Sequence, residues 1–368
     1  MRLRKLFKRL GRYFSRIGLK VLVERKICVK KSFLSLFVMI PLLVTIFPML
    51  DVKAAEGDVG YSVQAKIPDN QVDKKQTYFD LRMKPKQKQT IEIEVKNSSN
   101  EEIQVEANIT YATTNRTGMI DYTQNDLTKT DKSLLHPLPE IAKIPDDQRV
   151  LKIPVNGTKV VQVKIEMPAE TIDGVVLGAV KFTKKVTDEA EKTDGVSLKN
   201  EYSYIIGMQL SENDNKVTPN INLKSIKPAL VNYRTAIVTK LQNDQPVIIK
   251  DLSVDAKVYK QGSNKVLHQT KKADMTMAPN SSFDFDIDWE NKPLEAGEYR
   301  LKMTATNGVE TWKWDEKFTI ADKDQDLNKE AVNIEQSNPW LYVGIAAGIL
   351  LIFLIIILFA RKRRKNNN

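Results

Sequence analysis

Residues 278–290 read APNSSFDFDIDWE, with Asp284, Asp286 and Asp288 at alternate positions and Glu295 further on. Carboxylates so placed fall on positions 1, 3, 5 and 12 of a calcium-binding loop. Such a loop needs glycine at its sixth position for a sharp turn, and here that residue is Trp289. No helical pattern flanks the stretch. Phe283, Phe285, Ile287 and Trp289 instead mark one side of a strand turned inward, with the aspartates outward. A weakly held Ca2+ between the repelling carboxylates is the alternative.

Nothing else in the chain has the spacing of a catalytic or cofactor site. The two histidines, His136 and His268, lie far apart in sequence. There is no H-E-x-x-H, no G-x-S-x-G, no glycine-rich phosphate loop and no cysteine pair. Paired-carboxylate glycosidase chemistry is the one catalytic option left open, since carboxylates occur throughout. The expectation is a protein that binds rather than reacts, with no cofactor and no catalytic or metal residues.

The elements around these residues repeat with period two. Ile91, Ile93 and Val95 alternate with charged residues, and Ile103, Val105, Ala107 and Ile109, then Val161, Val163, Ile165 and Met167, alternate with polar ones. Leu252, Val254, Ala256 and Val258, then Leu301, Met303 and Ala305, continue the pattern. Turn residues separate the runs at 97–100, Asn156-Gly157, Asp173-Gly174, 261–264 and Ala296-Gly297. Half-buried antiparallel strands at such spacing predict an all-β protein. A polar, proline-bearing stretch at 211–220 divides the strands into two blocks, each long enough for its own core. Two tandem immunoglobulin-like β-sandwiches follow, at 55–214 and 215–321. The segment 174–182 and the strand 202–210 (YSYIIGMQL), apolar on both faces, are read as a central hairpin. Residues 115–147 lack alternation. They form a long insertion, read either as functional or as a cover packed by Leu134, Leu135, Leu138 and Ile141.

Both ends differ from this body. Residues 32–50 are apolar, follow a basic arm, and precede Val52 and Ala54, small residues suited to signal-peptidase cleavage after Ala54. Residues 1–54 are therefore expected to be a basic arm and signal peptide, an uncleaved anchor being the alternative. The arm is long for such a segment. A start at Val29, read from an alternative codon, would leave VKKSFLSLFVMIP, an ordinary opening.

Residues 322–339 read as a polar stalk and 340–360 as an uncharged helix of roughly 32 Å at ~1.5 Å per residue, enough to cross a bilayer. Trp340 and Tyr342 suit its outer interface, and the basic tail 361–368 suits the cytoplasmic side. This predicts a single-pass protein of the cell membrane whose ectodomain is extracellular and whose C-terminus is cytoplasmic. The formal net charge of +11 comes from these ends: residues 1–31 hold twelve Lys/Arg against one Glu, and 361–365 hold five more. The span 55–360 carries 39 basic and 44 acidic residues. Its net charge of −5 removes the case for nucleic-acid binding. Cys28 is the only cysteine and precedes the expected cleavage point, so the exported body would rely on its cores, as suits a Gram-positive envelope.

One basic stretch flanks the strand YFDL. Lys74, Lys75, Tyr78, Arg82, Lys84, Lys86 and Lys88 are the candidate ligand-binding residues, suited to wall carboxylates or teichoic phosphates. A solvated strand face is the plainer reading.

Several motifs carry a resemblance. APNSSFDF, the IDW that follows and AGEYRLKMTATNGVETWKWDEKFTI resemble the membrane-proximal domain of the WxL-interacting protein family of Gram-positive surface proteins. Tyr61-Ser62-Val63, Ile67-Pro68-Asp69-Asn70-Gln71, Tyr78-Phe79-Asp80-Leu81 and Lys84-Pro85 resemble its N-terminal domain. So do Thr113-Thr114-Asn115, Gly118-Met119-Ile120-Asp121-Tyr122, Met167-Pro168 and the run Asp173 to Ala179. The likeness covers residues 56–365; Lys86 departs from it, standing where glycine is common. Trp312-Lys313-Trp314 is read as part of a last strand rather than as a W-x-L motif.

The resemblance implies a first domain that binds peptidoglycan and a second that binds host proteins. It also implies WxL-domain surface proteins as partners. The expected function is a membrane-anchored scaffold or adhesin that holds peptidoglycan and WxL-type proteins, and touches host matrix proteins. A chaperone-like secretion factor and a cell-wall hydrolase are the alternatives. Sequencing the N-terminus of the mature chain is expected to give Ala55 first; peptides from residues 2–25 in whole cells would rule out the start at Val29.

Overall fold

The computed structural model describes residues 59–185, 201–332, 334, 347–352 and 357. Strand outweighs helix, 54% to 10%, as the alternation requires. The signal peptide expected before residue 55 lies outside the described residues, as does most of the span 340–360. Residues 347–352 and 357 are helical. Among the described residues no helix is long and apolar enough to cross a membrane.

The first block contributes β1 (Tyr61–Lys66), β2 (Phe79–Arg82), β3 (Lys88–Asn97), β4 (Ile103–Thr114) and β5 (Ile120–Gln124). After these come a helical turn α1 (Leu138–Ile141), β6 (Ala142–Lys143), β7 (Val150–Ile153), β8 (Thr158–Glu166), β9 (Val176–Lys185) and β10 (Ser203–Ser211). One sheet runs β1-β3-β8-β6; the other runs β2-β10-β9-β4-β5, with β7 also on β4. Their inward residues form one core. Ile91, Ile93 and Val95 of β3, Val161 and Val163 of β8, and Val180 and Phe182 of β9 are all buried in it. Tyr61 ties the two sheets together: its hydroxyl donates to the carbonyls of Phe182 (3.0 Å) and Tyr202 (3.2 Å). Burial pushes its phenol up to about 12.

β9 and β10 pair antiparallel in the middle of the second sheet, as their two apolar faces predict. Of the residues expected to cover this domain, Leu138 and Ile141 join the core, whereas Leu135 is 75% exposed. The cover is thus one helical turn, not the whole insertion.

The second block contributes β11 (Ile221–Val231), β12 (Arg234–Asn243), β13 (Ile249–Lys260), β14 (Val266–Met277), β15 (Ser281–Asp288), β16 (Gly297–Thr306) and β17 (Thr311–Ile320). The sheets run β11-β12-β15 and β14-β13-β16-β17. Phe283, Phe285, Ile287 and Trp289 are buried with Leu252, Val254, Leu301 and Met303. Trp312 and Trp314 lie on the edge strand β17, half-buried against this core, as expected for a last strand. The β11–β12 hairpin turns through Asn232 and Tyr233, at φ 51° and 60°. Two left-handed residues match the twist of the paired strands, though tyrosine pays a steric cost glycine would not.

The expected stalk does not begin free. Asn328 bonds both the N–H (2.8 Å) and the carbonyl (3.0 Å) of Leu294, and the Val332 N–H reaches the Tyr233 carbonyl at 2.8 Å.

His268 is buried and lies on Trp289, with ring centroids 4.1 Å apart. Burial lowers its pKa and outweighs Glu290, whose half-exposed carboxylate stands 3.6 Å from a ring nitrogen that has no hydrogen-bond partner. The folded state therefore favours neutral imidazole. The stability this gives is present above the unfolded value, about 6.5, and is lost as pH falls below it. Chemical denaturation is expected to show the second domain weakening between pH 7 and 5, with the slope gone in His268→Phe. Phe285→Ala should cost about 3–5 kcal/mol at constant pH, a large cavity in a close-packed core.

Candidate functional site

The structure divides the predicted basic cluster among three places. Lys74 and Lys75 lie in the loop before β2. There the Asp73 carboxylate accepts from the Lys75 N–H (3.0 Å) and the Gln76 amide (3.1 Å), and these bonds hold it below the usual carboxylate range. Tyr78 and Arg82 border the edge strand β2. Arg82 is ion-paired with Asp214 and lines a cleft of about 490 Å3 with Asp80, Gln209 and Pro246. Lys84 and Lys86 lie in the turn into β3, and Lys88 opens that strand. Lys86 has φ 60°, and its N–H reaches the Pro168 carbonyl at 2.9 Å. That left-handed backbone is where glycine fits most easily.

Lys88 pairs with Glu166 at 2.9 Å. Together with Glu140, Lys143 and Lys164 these two residues line an open groove of about 560 Å3 along β6 and β8. An adjoining groove adds Lys86 and His136. The insertion thus supplies one wall of the basic groove. Lys143 and Lys164 carried no separate signal in the sequence, because each looks like one solvated position on a strand.

The aspartates of β15 turn outward from their core, as the strand reading predicts, and Asp288 is exposed. Asp284 and Asp286 meet cations on that outer face. Arg116 places one guanidinium nitrogen 3.2 Å from Asp284 and the other 2.5 Å from Asp286. Lys240, opposite Asp284 on β12, stands 3.5 Å from the same carboxylate. Glu295, the residue at the twelfth ligand position, pairs with Lys260 at 3.0 Å. Among the described residues no cluster of three or more His, Cys, Asp or Glu is placed to hold a metal.

Arg116 belongs to the turn between β4 and β5, so the contact joins the two sandwiches. Asn115 shapes that turn, its side-chain oxygen accepting from the Thr117 N–H (2.9 Å) and the Met119 N–H (3.1 Å). Gly118 lies at φ 79°, and a Cβ there would come within 2.5 Å of Met275. Its carbonyl accepts from the Thr276 N–H at 2.7 Å. Thr114 bonds Ser281 (2.7 Å) and the Ala278 N–H (2.9 Å) in a buried setting. Asp131, further along the insertion, accepts from Gln242 (2.7 Å) and Ser282 (2.5 Å). At the far side of the joint a Cβ on Gly174 would fall 2.1 Å from the Pro246 carbonyl oxygen. Sequence patterning gave no sign of this joint, since Arg116 and Asp131 sit in the one stretch without period.

Two family profiles match this body in series. The peptidoglycan-binding domain of the WxL-interacting proteins matches residues 61–184, and the host-binding domain of the same proteins matches 193–329. The chain belongs to the WxL-interacting protein family. Both matched domains are binding domains rather than enzymes.

No curated protein matches the chain. Among solved structures, the class 5 fimbriae chaperone CfaA is 12% identical, covering 69% of this chain and 99% of its own, at a TM-score of 0.27. The E. coli chaperone DraB is also 12% identical, covering 71% and 98%, at 0.26. A PapD-like domain of human CEP192 is 7% identical, covering 46% and 97%, at 0.27. Likeness this slight supports no conclusion.

In this WxL-interacting protein the matched ranges and the sheets do not coincide. β10 lies within the host-binding match, yet it is hydrogen-bonded between β2 and β9 of the first sandwich.

Burial acts to raise the pKa of Asp131, but hydrogen bonds from Ser282, Ser133 and Gln242 more than offset it and leave the carboxyl lowered. Its contribution is present above the unfolded value near 3.9 and is lost as pH falls through the folded one. Hydrogen exchange at the Thr276 amide reads the joint directly. Asp131→Ala, which strands the Gln242 and Ser282 donors, should weaken protection there by about 1–3 kcal/mol. Acid below pH 4 should do the same to the unaltered chain. Protection equal to wild type in Asp131→Ala would show that the joint does not depend on this carboxylate.

Proposed function

We propose that this chain is a non-enzymatic scaffold of the Gram-positive cell surface, anchored in the membrane and gripping peptidoglycan through its first domain. The observation that carries the reading is the serial match of a peptidoglycan-binding and a host-binding profile, laid over two sandwiches joined by Arg116, Thr114 and Asp131. The second domain would face surface partners: WxL-domain proteins, after which the family is named, and host matrix proteins. We read both sandwiches as immunoglobulin-like, with limits at 55–214 and 215–321. Leader, stalk and apolar span at the two ends are what support an extracellular ectodomain and a cytoplasmic C-terminus.

The basic groove gives this scaffold a physical means of meeting the wall. Lys86, Lys88, Lys143 and Lys164 line two adjoining clefts. Wall polymers carry carboxylates and phosphates, and ammonium groups on an open rim attract them over a Debye length of about 8 Å at physiological salt. Lys74, Lys75 and Arg82 lie apart from this groove, in the loop before β2 and at the cleft beside it.

Full-length chain in detergent is expected to co-sediment with purified sacculi, less so as salt rises. Replacing Lys86, Lys88, Lys143 and Lys164 by Gln should flatten that salt dependence. Absence of retention at any salt would end the peptidoglycan reading.

A further inference from the structure

The larger sheet of the first domain has an outer face. Val180, Phe182, Met208 and Leu210 turn inward, so the alternate residues of β9 and β10 turn out. In register across the strands, Gly207 of β10 faces Ala179 of β9, which faces Thr110 of β4; one row along, Ile205 faces Lys181, which faces Asn108. The first row is built of small residues, and Tyr78 lies over it. A Cβ added to Gly207 would stand 3.6 Å from the Tyr78 Cβ.

Tyr78 is 41% exposed. Its backbone is fixed by buried Gln71, whose amide donates to the Tyr78 carbonyl (2.8 Å) and accepts from the Asp80 N–H (3.0 Å). Tyr122 comes from β5 at the other side and packs on Ala112 and Leu177. Burial raises its phenol pKa, and nearby Tyr78 adds to the shift.

Polar groups stand beside the two rings. Gln209 donates to Asp80 at 3.0 Å, and Asn108 to Glu106 at 3.2 Å. Lys185 pairs with Glu106 at 3.0 Å, whereas Lys181 forms no ion pair among the described residues. Ile205, beside Lys181, is 41% exposed.

We propose that this face, centred on Tyr78 and Tyr122, binds the glycan strand of the wall, with Lys181 receiving a carboxylate of the muramic acid or its peptide. The assignment rests on the peptidoglycan reading above and gives it a site separate from the basic groove. The apolar C–H face of a pyranose ring lies flat on an aromatic ring, and tyrosine offers such a face beside a polar tip. Hydroxyl and acetamido groups at the sugar's edge find amide partners in Asn108 and Gln209. The small residues Ala179 and Thr110 beneath are already buried, so a ligand meets the rings and the polar groups beside them. The charges are complementary: wall peptides carry carboxylates, and Lys181, within the field of Glu106, makes no ion pair among the described residues.

The test uses the full chain in detergent and three probes: purified sacculi, a soluble oligomer of β-1,4-linked N-acetylglucosamine, and a disaccharide–peptide released from peptidoglycan. Tyr78→Ala should weaken oligomer binding about tenfold or more, as loss of an aromatic anchor does. Tyr78→Trp should retain it, with the thermal midpoint unchanged in both. Lys181→Gln should weaken the disaccharide–peptide and leave the neutral oligomer alone. Tyr122→Ala is a second reading of the platform, scored only if its midpoint matches wild type. Wild type held by sacculi, with Tyr78→Ala binding every probe equally well, overturns the site and leaves the peptidoglycan reading standing. So does wild type held by sacculi yet blind to both soluble probes. Wild type held by none of the three overturns both.

Discussion

The structure turns on the docking of the β4–β5 hairpin against β14 and β15. Arg116 sets its two guanidinium nitrogens on Asp284 and Asp286, while Gly118 presses backbone against Met275 where no side chain would fit. A surface ion pair alone adds little to stability. Its weight here comes from company: Thr114 bonded to Ser281, Asp131 to Ser282 and Gln242, and Ala112 and Leu177 packed with Ala278. A polar network with its members satisfied fixes geometry even where its net energy is modest.

The same hairpin explains the division between what the sequence showed and what it hid. Strands with one buried face announce themselves through period two, and the residues so marked, from Ile91 to Ala305, are core. The turns at Asn97, Asn156 and Gly262 fall between strands for the reasons their types suggest. Buried Asn97 adds a further role, its amide donating to the carbonyls of Glu101, Ile153 and Pro154. Contacts between domains have no period. Asp284 on a strand reads the same whether it meets water, a cation or Arg116, and only the fold brings residue 116 beside it. For like reasons the basic cluster looked continuous. Seven residues within one short stretch turn out to border β2, the loop before it and the turn into β3, and so face separate clefts.

Binding proteins of this kind need no deep pocket. The clefts beside Lys88 and Arg82 are open, and the tyrosine face is a platform rather than a cavity. Extended polymers suit such surfaces, because affinity can be spread along many shallow contacts. The left-handed turn at Lys86 belongs to the same economy: it bends the chain between β2 and β3, carrying Lys84 and Lys86 off the sheet.

The connection between the sandwiches has a mechanical consequence. Asp173 accepts from both Asn213 and Asn215, each at 2.9 Å, and β10 is locked beside β2 up to Ser211. The crossing from one core to the other is therefore pinned at its start, by Asn213 and Asn215, and at its end, where Asn220 donates to Asp244, instead of hanging as a slack tether. A ligand on each half would be kept at one set spacing, as on a ruler, so that reach is decided by the protein's own length and not by diffusion of loosely strung beads.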